Sequence, residues 1–224
     1  MIHVKTKFKR PSAETVKELS RFSSATIHEA QGRRGALSSR IKPIDNAMSF
    51  CGPAVTVSCA PRDNLMLQVA IYYAQAGDVL VVSAGGYDEA GTFGDVLGNA
   101  CVAKGIAALV TDSGVRDTND LRALGLPVFS GSVSIKGTVK ETLGPINHPL
   151  IIGDEIVHPG DLIKGDADGV VVVRQDEAED VILQSQQRFD NEEELIRLYH
   201  EGKTTIELCN LTDVLRNKGL IVED

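Results

Sequence analysis

Two periods of hydrophobic positions alternate along the 224-residue chain. After Pro11-Ser12, the residues Val16, Leu19 and Phe22 stand at helical spacing, and 24–30 forms a second short helix that Gly32 ends. Residues 32–46, with Arg33, Arg34 and Arg40, read as loop. The stretch 53–59 alternates and is rich in β-branched residues, which predicts a strand; Asp63-Asn64 then caps a helix that runs to Ala76 and stops at Gly77-Asp78. Residues 78–82 are a short apolar run, the mark of a strand buried on both faces, and the loop Ala84-Gly85-Gly86 follows. The same order returns as a helix over 95–104 with Gly105 as its C-cap, a buried strand over 106–111, a loop over 112–117 and a helix over 119–124.

Beyond Pro127-Val128-Phe129 the chain becomes strand-rich and meandering, broken by Gly and Pro, until Gly169 and a run of four valines. From Asp176 it is polar and helical through Tyr199, with Gly202 as the stop and a last helix over 205–218. Strand and helix in alternation, then strands, then helices predict an α/β fold in layers. One domain over 1–224 is expected, with 176–224 as a helical C-terminal segment.

Charge narrows the partners. Against 31 Asp and Glu there are 23 Lys and Arg, a net charge of -8, so nonspecific attraction to nucleic acid is disfavoured. Aromatic residues make up 4%, too few for a stacking surface under single strands. Cys51, Cys59, Cys101 and Cys209 lack Cys-x-x-Cys spacing and read as buried free thiols suited to a reducing cytoplasm. Met1-Ile2-His3-Val4-Lys5 lacks the apolar stretch of a signal peptide, and no run is long enough to cross a bilayer; no membrane association is expected.

Candidate chemistry gathers in two loops expected at the same edge of adjacent parallel strands, where open α/β sheets bind ligands. One is Gly94-Asp95-Val96-Leu97-Gly98-Asn99, which opens a helix whose free N–H groups favour an anion; the other is Ser113-Gly114-Val115-Arg116-Asp117. Arg116 offers a planar fork that fits a carboxylate, and Asp117 with Asp95 makes a pair of carboxylates suited to a Mg²⁺-like ion that keeps several waters. The same residues read equally well as a surface Arg–Asp pair and a helix cap. His28 reads as structural, the five histidines form no metal-binding spacing, Asp166-Ala167-Asp168-Gly169 reads as a turn, and no nucleotide-phosphate motif is present.

The sequence resembles the 4-hydroxy-4-methyl-2-oxoglutarate/4-carboxy-4-hydroxy-2-oxoadipate aldolases, metal-dependent pyruvate aldolases related to the regulator of ribonuclease activity A. The resemblance runs over nearly the whole chain, through His28 to Arg33, Gly52 to Val57, Asp63 to Met66, Gly77 to Val82, Gly114 to Asp117, Leu126 to Ser130, Pro159 to Asp161 and Asp168 to Val173. Its specific signal is Asp95, twenty residues, Arg116-Asp117, two residues and Asp120. The regulator proper has Gly at the first position, so Asp95 favours the enzyme.

By this resemblance the fold is a layered β/β/α swivelling domain, assembled as a homotrimer or homohexamer with the site at a subunit boundary. Arg116 binds the pyruvyl carboxylate and Asp117 ligates Mg²⁺ or Mn²⁺. The loop from Gly94 through Asp95, Val96 and Leu97 holds the substrate by its backbone. A neighbour's C-terminal helix supplies a glutamate within 192–194, and the offset to Arg197 selects Glu193. The implied reaction is retro-aldol cleavage of a 2-oxo acid to pyruvate plus a second 2-oxo acid, in aromatic-acid catabolism. Oxaloacetate decarboxylation is expected as a side activity, and Arg33 is placed to meet further carboxylates. Two other readings are a non-catalytic regulator that binds ribonuclease E and a dedicated oxaloacetate decarboxylase.

Overall fold

The computed structural model describes residues 3–222; Met1 and Ile2, on which the reading of the N-terminus partly rests, lie outside them. Helices α1 (Ala13–Ser20) and α2 (Ser24–Ala30) begin where the Ser12 and Ser23 hydroxyls accept the Thr15 and Thr26 N–H groups, both at 3.0 Å. The expected alternation then builds the centre of the sheet. Strands β2 (Phe50–Ser58), β3 (Val79–Ser83), β5 (Ala108–Val115) and β6 (Val128–Val133) are parallel neighbours in the order β6-β5-β3-β2. The helices α3 (Leu65–Tyr73), α4 (Asp95–Lys104) and α5 (Thr118–Leu124) make the crossovers. A short strand β4 (Gly91–Phe93) pairs with the far end of β5.

Both edges are antiparallel. Strand β1 (Lys42–Pro43) lies along β6, while β9 (Leu162–Asp166) and β10 (Gly169–Val173) extend the sheet from β2. The two edges meet, because Leu37 donates its N–H to Val170 O at 2.9 Å and Val172 donates to Gly35 O at 2.8 Å just before the chain enters β1. The sheet is therefore nearly closed into a barrel. A hairpin of β7 (Leu150–Ile152) and β8 (Glu155–Val157) stands apart from it, and α6 (Ala178–His200), α7 (Thr205–Leu208) and α8 (Leu211–Asn217) complete the chain.

Alternation along the strands sorts side chains into two cores. Val55, Val57, Leu80, Val82 and Leu109 face α3 and α4, whereas Ala54, Val79, Val81, Ala108, Val110 and Phe129 face the inside of the curved sheet. These are at most 1% exposed, and each valine or leucine contributes roughly 1.5–3 kcal/mol. A third cluster packs α1, α2 and the start of α6 on β9 and β10 through Leu19, Ile27, Val171, Val173 and Val181.

Several boundaries differ from the sequence expectation. The loop expected over 112–117 is strand as far as Val115, because Gly114 and Val115 find partners on both sides, in β4 and β6. Helix α3 stops at Tyr73 rather than Ala76, since Ala74 is extended. The last helix is divided in two at Asn210, which takes a left-handed φ of 53°. Cys59 and Cys101 are buried as expected and Cys51 partly so, but Cys209 is exposed. No helix among the described residues is long and apolar enough to cross a membrane.

Candidate active site

Strands β4 and β5 end side by side, and the Arg116 N–H donates to Phe93 O at 2.9 Å. That pairing sets Gly94, the N-cap of α4, against Arg116-Asp117, the residues that lead into α5. The Asp95 N–H donates to Asp117 Oδ2 at 3.3 Å, and Arg116 Nε stands 3.4 Å from the same oxygen. Contact this close requires glycine at 94: a Cβ there would lie 2.3 Å from Asp117 Oδ2, although the backbone itself is extended and open to any residue. Gly98 serves a second close approach, since a Cβ would meet Leu121 Cδ2 at 2.6 Å where α4 packs on α5.

Asp117 holds an unusual conformation. Its φ of 55° is left-handed, and although it occupies the N-cap position of α5 its carboxylate makes no capping bond. It turns back toward α4 instead. The N–H groups of Val96 and Leu97, in the first turn of α4, have no acceptor among the described residues, nor does the Asp95 carboxylate have a hydrogen-bond partner there. Both terminal amino groups of the Arg116 guanidinium are likewise without a protein partner among those residues.

These groups converge on one cavity of about 160 Å³, lined by Gly94, Asp95, Val96, Leu97, Arg116 and Asp117. All six were expected from sequence. The opposite wall was not: Gly137, Thr138 and Lys140 come from the stretch between β6 and β7, and Asn64 from the turn before α3. Asn64, expected as a cap, makes no side-chain capping bond and donates its amide to Thr92 O in β4 at 3.1 Å. Beside it, Asp63 is buried and accepts the N–H groups of Leu65, Glu141 and Thr142 at 2.7–2.9 Å. Burial pushes the Asp63 carboxyl up, but those hydrogen bonds outweigh it and hold the group below the ordinary carboxylate range.

Other expected residues lie elsewhere. Glu193 is exposed on α6 and does not line the cavity; Glu192 and Glu194 pair with Arg188 and Arg197 at 2.9 and 2.6 Å, which leaves Glu193 unpaired among the described residues. Arg33 pairs with Glu29 at 3.1 Å and is also absent from the cavity, so the placement expected for it is not met within one chain. Asp120 is exposed in the first turn of α5. His28 Nδ1 lies 3.0 Å from Arg34 O, in keeping with a structural role. Burial pushes the Cys51, Cys59 and Cys101 thiols up to about 12, so none supplies a thiolate.

A larger cavity, about 520 Å³, opens at the ends of β3, β5 and β6 on the inner side of the sheet. Its chemistry is largely committed: Asp112 accepts the Ser83 hydroxyl and the Ala84 and Gly86 N–H groups, and Arg40 pairs with Asp88 at 2.7 Å. Unpaired donors and carboxylates converge in the smaller cavity, which is the candidate site.

A family model described as RraA-like, Aldolase/RraA, matches residues 24–172. Halalkalibacterium halodurans has a relative named "Putative 4-hydroxy-4-methyl-2-oxoglutarate aldolase", 37% identical over 157 residues, covering 70% of this chain and 75% of that protein. Among solved structures, an uncharacterized protein from Pseudomonas syringae superposes with a TM-score of 0.76 at 25% identity, covering 88% of this chain and 97% of its own. A Streptomyces coelicolor protein, described as an unusual member of the RNase ES inhibitor RraA protein family, gives a TM-score of 0.73 at 32% identity, with 85% and 99% covered.

Proposed function

The chain belongs to the RraA-like family of aldolases and RraA proteins, and from that premise we propose that it is a pyruvate aldolase dependent on a divalent cation. Its substrates are 4-carboxy-4-hydroxy-2-oxoadipate or 4-hydroxy-4-methyl-2-oxoglutarate, and oxaloacetate decarboxylation is a side activity. Relatives named as aldolases support a carbon–carbon lyase. The observation that carries the reading is the convergence of Arg116, Asp117, Asp95 and the free N–H groups of Val96 and Leu97 on one cavity.

Among the described residues no three His, Cys, Asp or Glu side chains gather as a metal cage. That donor set does not suit zinc, but it fits a hard ion such as Mg²⁺ or Mn²⁺, held by one or two carboxylates with water and substrate completing the shell. Asp117 would hold the ion, with Asp95 beside it. When bound, the cation supplies Lewis acidity toward the 2-oxo acid.

The protein's own groups supply the rest. Arg116 takes the pyruvyl carboxylate through its unpaired amino groups, and the first-turn N–H groups of α4 add positive potential at the same place. Asp95 holds the water that accepts the proton of the 4-hydroxyl group. The C3–C4 bond breaks, C4 becomes a carbonyl carbon, and the electron pair leaves as the pyruvate enolate. The same water returns the proton to C3, so charge and atoms balance. Lys140, without an ion-pair partner among the described residues, lines the cavity where a further carboxylate of the substrate can reach it.

Pyruvate release should be measured from 4-carboxy-4-hydroxy-2-oxoadipate and from oxaloacetate. Turnover in Mg²⁺ is expected to fall on the order of 100-fold or more in EDTA. Undiminished turnover in EDTA would sink the metal role, and no release from either substrate would sink the aldolase.

A cavity of about 160 Å³ is small beside ordinary ligand pockets of roughly 300 Å³ and above. One apolar side chain of its lining is open to solvent, Val96 on α4, at 74% exposure. The far half of α6 exposes Phe189 and Ile196. This supports a homotrimer or homohexamer in which a neighbour's α6 covers the cavity and brings Glu193 to it. Mixing an Arg116→Ala protein with a Glu193→Ala protein should then restore activity in mixed oligomers; no recovery despite verified subunit exchange would remove Glu193 from the site.

A further inference from the structure

The stretch between β6 and β7, residues 134–149, has no helix or strand of its own, yet it forms one wall of the candidate site. It is tied at its start by Ser134 N–H to Val115 O and by Gly91 N–H to Lys136 O, both at 2.9 Å, and further along by the turn before α3. Val139 donates its N–H to Arg62 O at 2.9 Å, and Asn64 donates to Val139 O at 3.1 Å. Asp63 completes the tie, taking Leu65 N–H on Oδ1 and both Glu141 and Thr142 N–H on Oδ2. At 2% exposure this carboxylate has no cationic partner among the described residues, so its compensation comes from three backbone amides and the Thr142 side chain, with Glu141 and Thr142 both in the stretch it holds.

Resting on the aldolase reading above, we infer that Asp63 is a positioning residue for substrate selection: its buried carboxylate fixes the 137–142 strap so that Thr138 and Lys140 meet the part of the substrate beyond the 2-oxo acid group. The residue does not touch substrate. Its influence on the distal part of the site passes through Glu141 and Thr142 to Lys140, whereas Arg116 and Asp117 are held independently by β4, β5 and Gly94.

Asp63→Asn keeps the shape but sets an NH₂ group against at least one of the N–H donors. The KM for 4-carboxy-4-hydroxy-2-oxoadipate should rise about tenfold while kcat stays within about twofold, and inhibition by pyruvate, which fills only the 2-oxo acid subsite, should be unchanged. Combined with Lys140→Met, the loss should not add, because both changes remove the same contact. A pyruvate inhibition constant that rises in step with KM, or a fully additive double variant, would overturn the inference. Should Asp63→Asn fail to fold, Thr142→Pro deletes both the N–H and the hydroxyl that Thr142 of the exposed strap offers Asp63, and the same split is expected. Hydrogen exchange separates this idea from the aldolase reading: the Glu141 and Thr142 amides should exchange at least about tenfold faster in Asp63→Asn, with α4 unchanged. If the chain cleaves neither substrate, that measurement alone decides, and unchanged exchange overturns the tie.

Discussion

Asp117→Ala is expected to lower metal-dependent pyruvate release on the order of 1000-fold or more while leaving a folded chain. The carboxylate contributes little to the fold that would be lost with it. It caps no helix, its one N–H bond to Asp95 is long at 3.3 Å, and its ion pair with Arg116 is partly open to solvent. Its φ of 55° costs stability, since a left-handed L-residue is disfavoured by roughly 1–2 kcal/mol. The proposed ligand role accounts for a strained position whose side chain turns away from the local hydrogen bond it could make.

Asp117→Gly therefore sharpens the test. It should be equally inactive yet more stable than Asp117→Ala by about 1 kcal/mol, because glycine accepts this φ without penalty. Gly94→Ala should be nearly as inactive with both charged groups still present, as the new Cβ would stand 2.3 Å from Asp117 Oδ2 and must displace it. Steady-state kcat/KM in saturating Mg²⁺, with thermal melts beside it, reads all three. Retained activity in Asp117→Gly would end the ligand assignment.

How much of this was legible in the sequence depends on how local each signal is. Strands β3 and β5 were plain from short apolar runs and β2 from its alternation and β-branched residues, and Gly94, Asp95 and Arg116-Asp117 stood out because one short loop carries each. Strand β4 was hidden: Gly91-Thr92-Phe93 is too short to show a period and becomes a strand only by pairing with β5. That pairing also extends β5 past the expected loop. Gly35-Ala36-Leu37 carries no strand signal either, yet it closes the sheet against β10. Lys140 and Thr138 lie in a stretch with neither helical nor strand period, and it is tied beside the site by backbone bonds to Arg62, Asn64 and Gly91 and by the buried Asp63, read as a simple cap. Its second function depends on partners nearly eighty residues away, which no local pattern encodes. Arg33 shows the converse: read as a cation able to meet a further carboxylate, it is paired within the chain to its i,i+4 glutamate and does not line the cavity of one subunit.

Arg116→Lys, which preserves charge, should still lose on the order of 100-fold in kcat/KM. The position presents a planar fork at the mouth of the cavity, with only Nε near a protein acceptor, 3.4 Å from Asp117, and both terminal amino groups unpaired among the described residues. A carboxylate can accept two parallel bonds from such a fork; an ammonium group offers a point charge and a shorter reach. Loss of one charge-assisted bond and of the orientation it enforces amounts to about 3 kcal/mol, which matches that factor. The loss should appear in both KM and kcat, because the carboxylate that Arg116 holds also sets the 2-oxo group near Asp117. Fold stability should hardly move, the side chain being 46% exposed. Pyruvate inhibition should weaken in parallel, since pyruvate offers this subsite the same carboxylate. An Arg116→Lys enzyme with near-normal kcat/KM would remove Arg116 from carboxylate recognition and leave the α4 N–H groups as the remaining anion site.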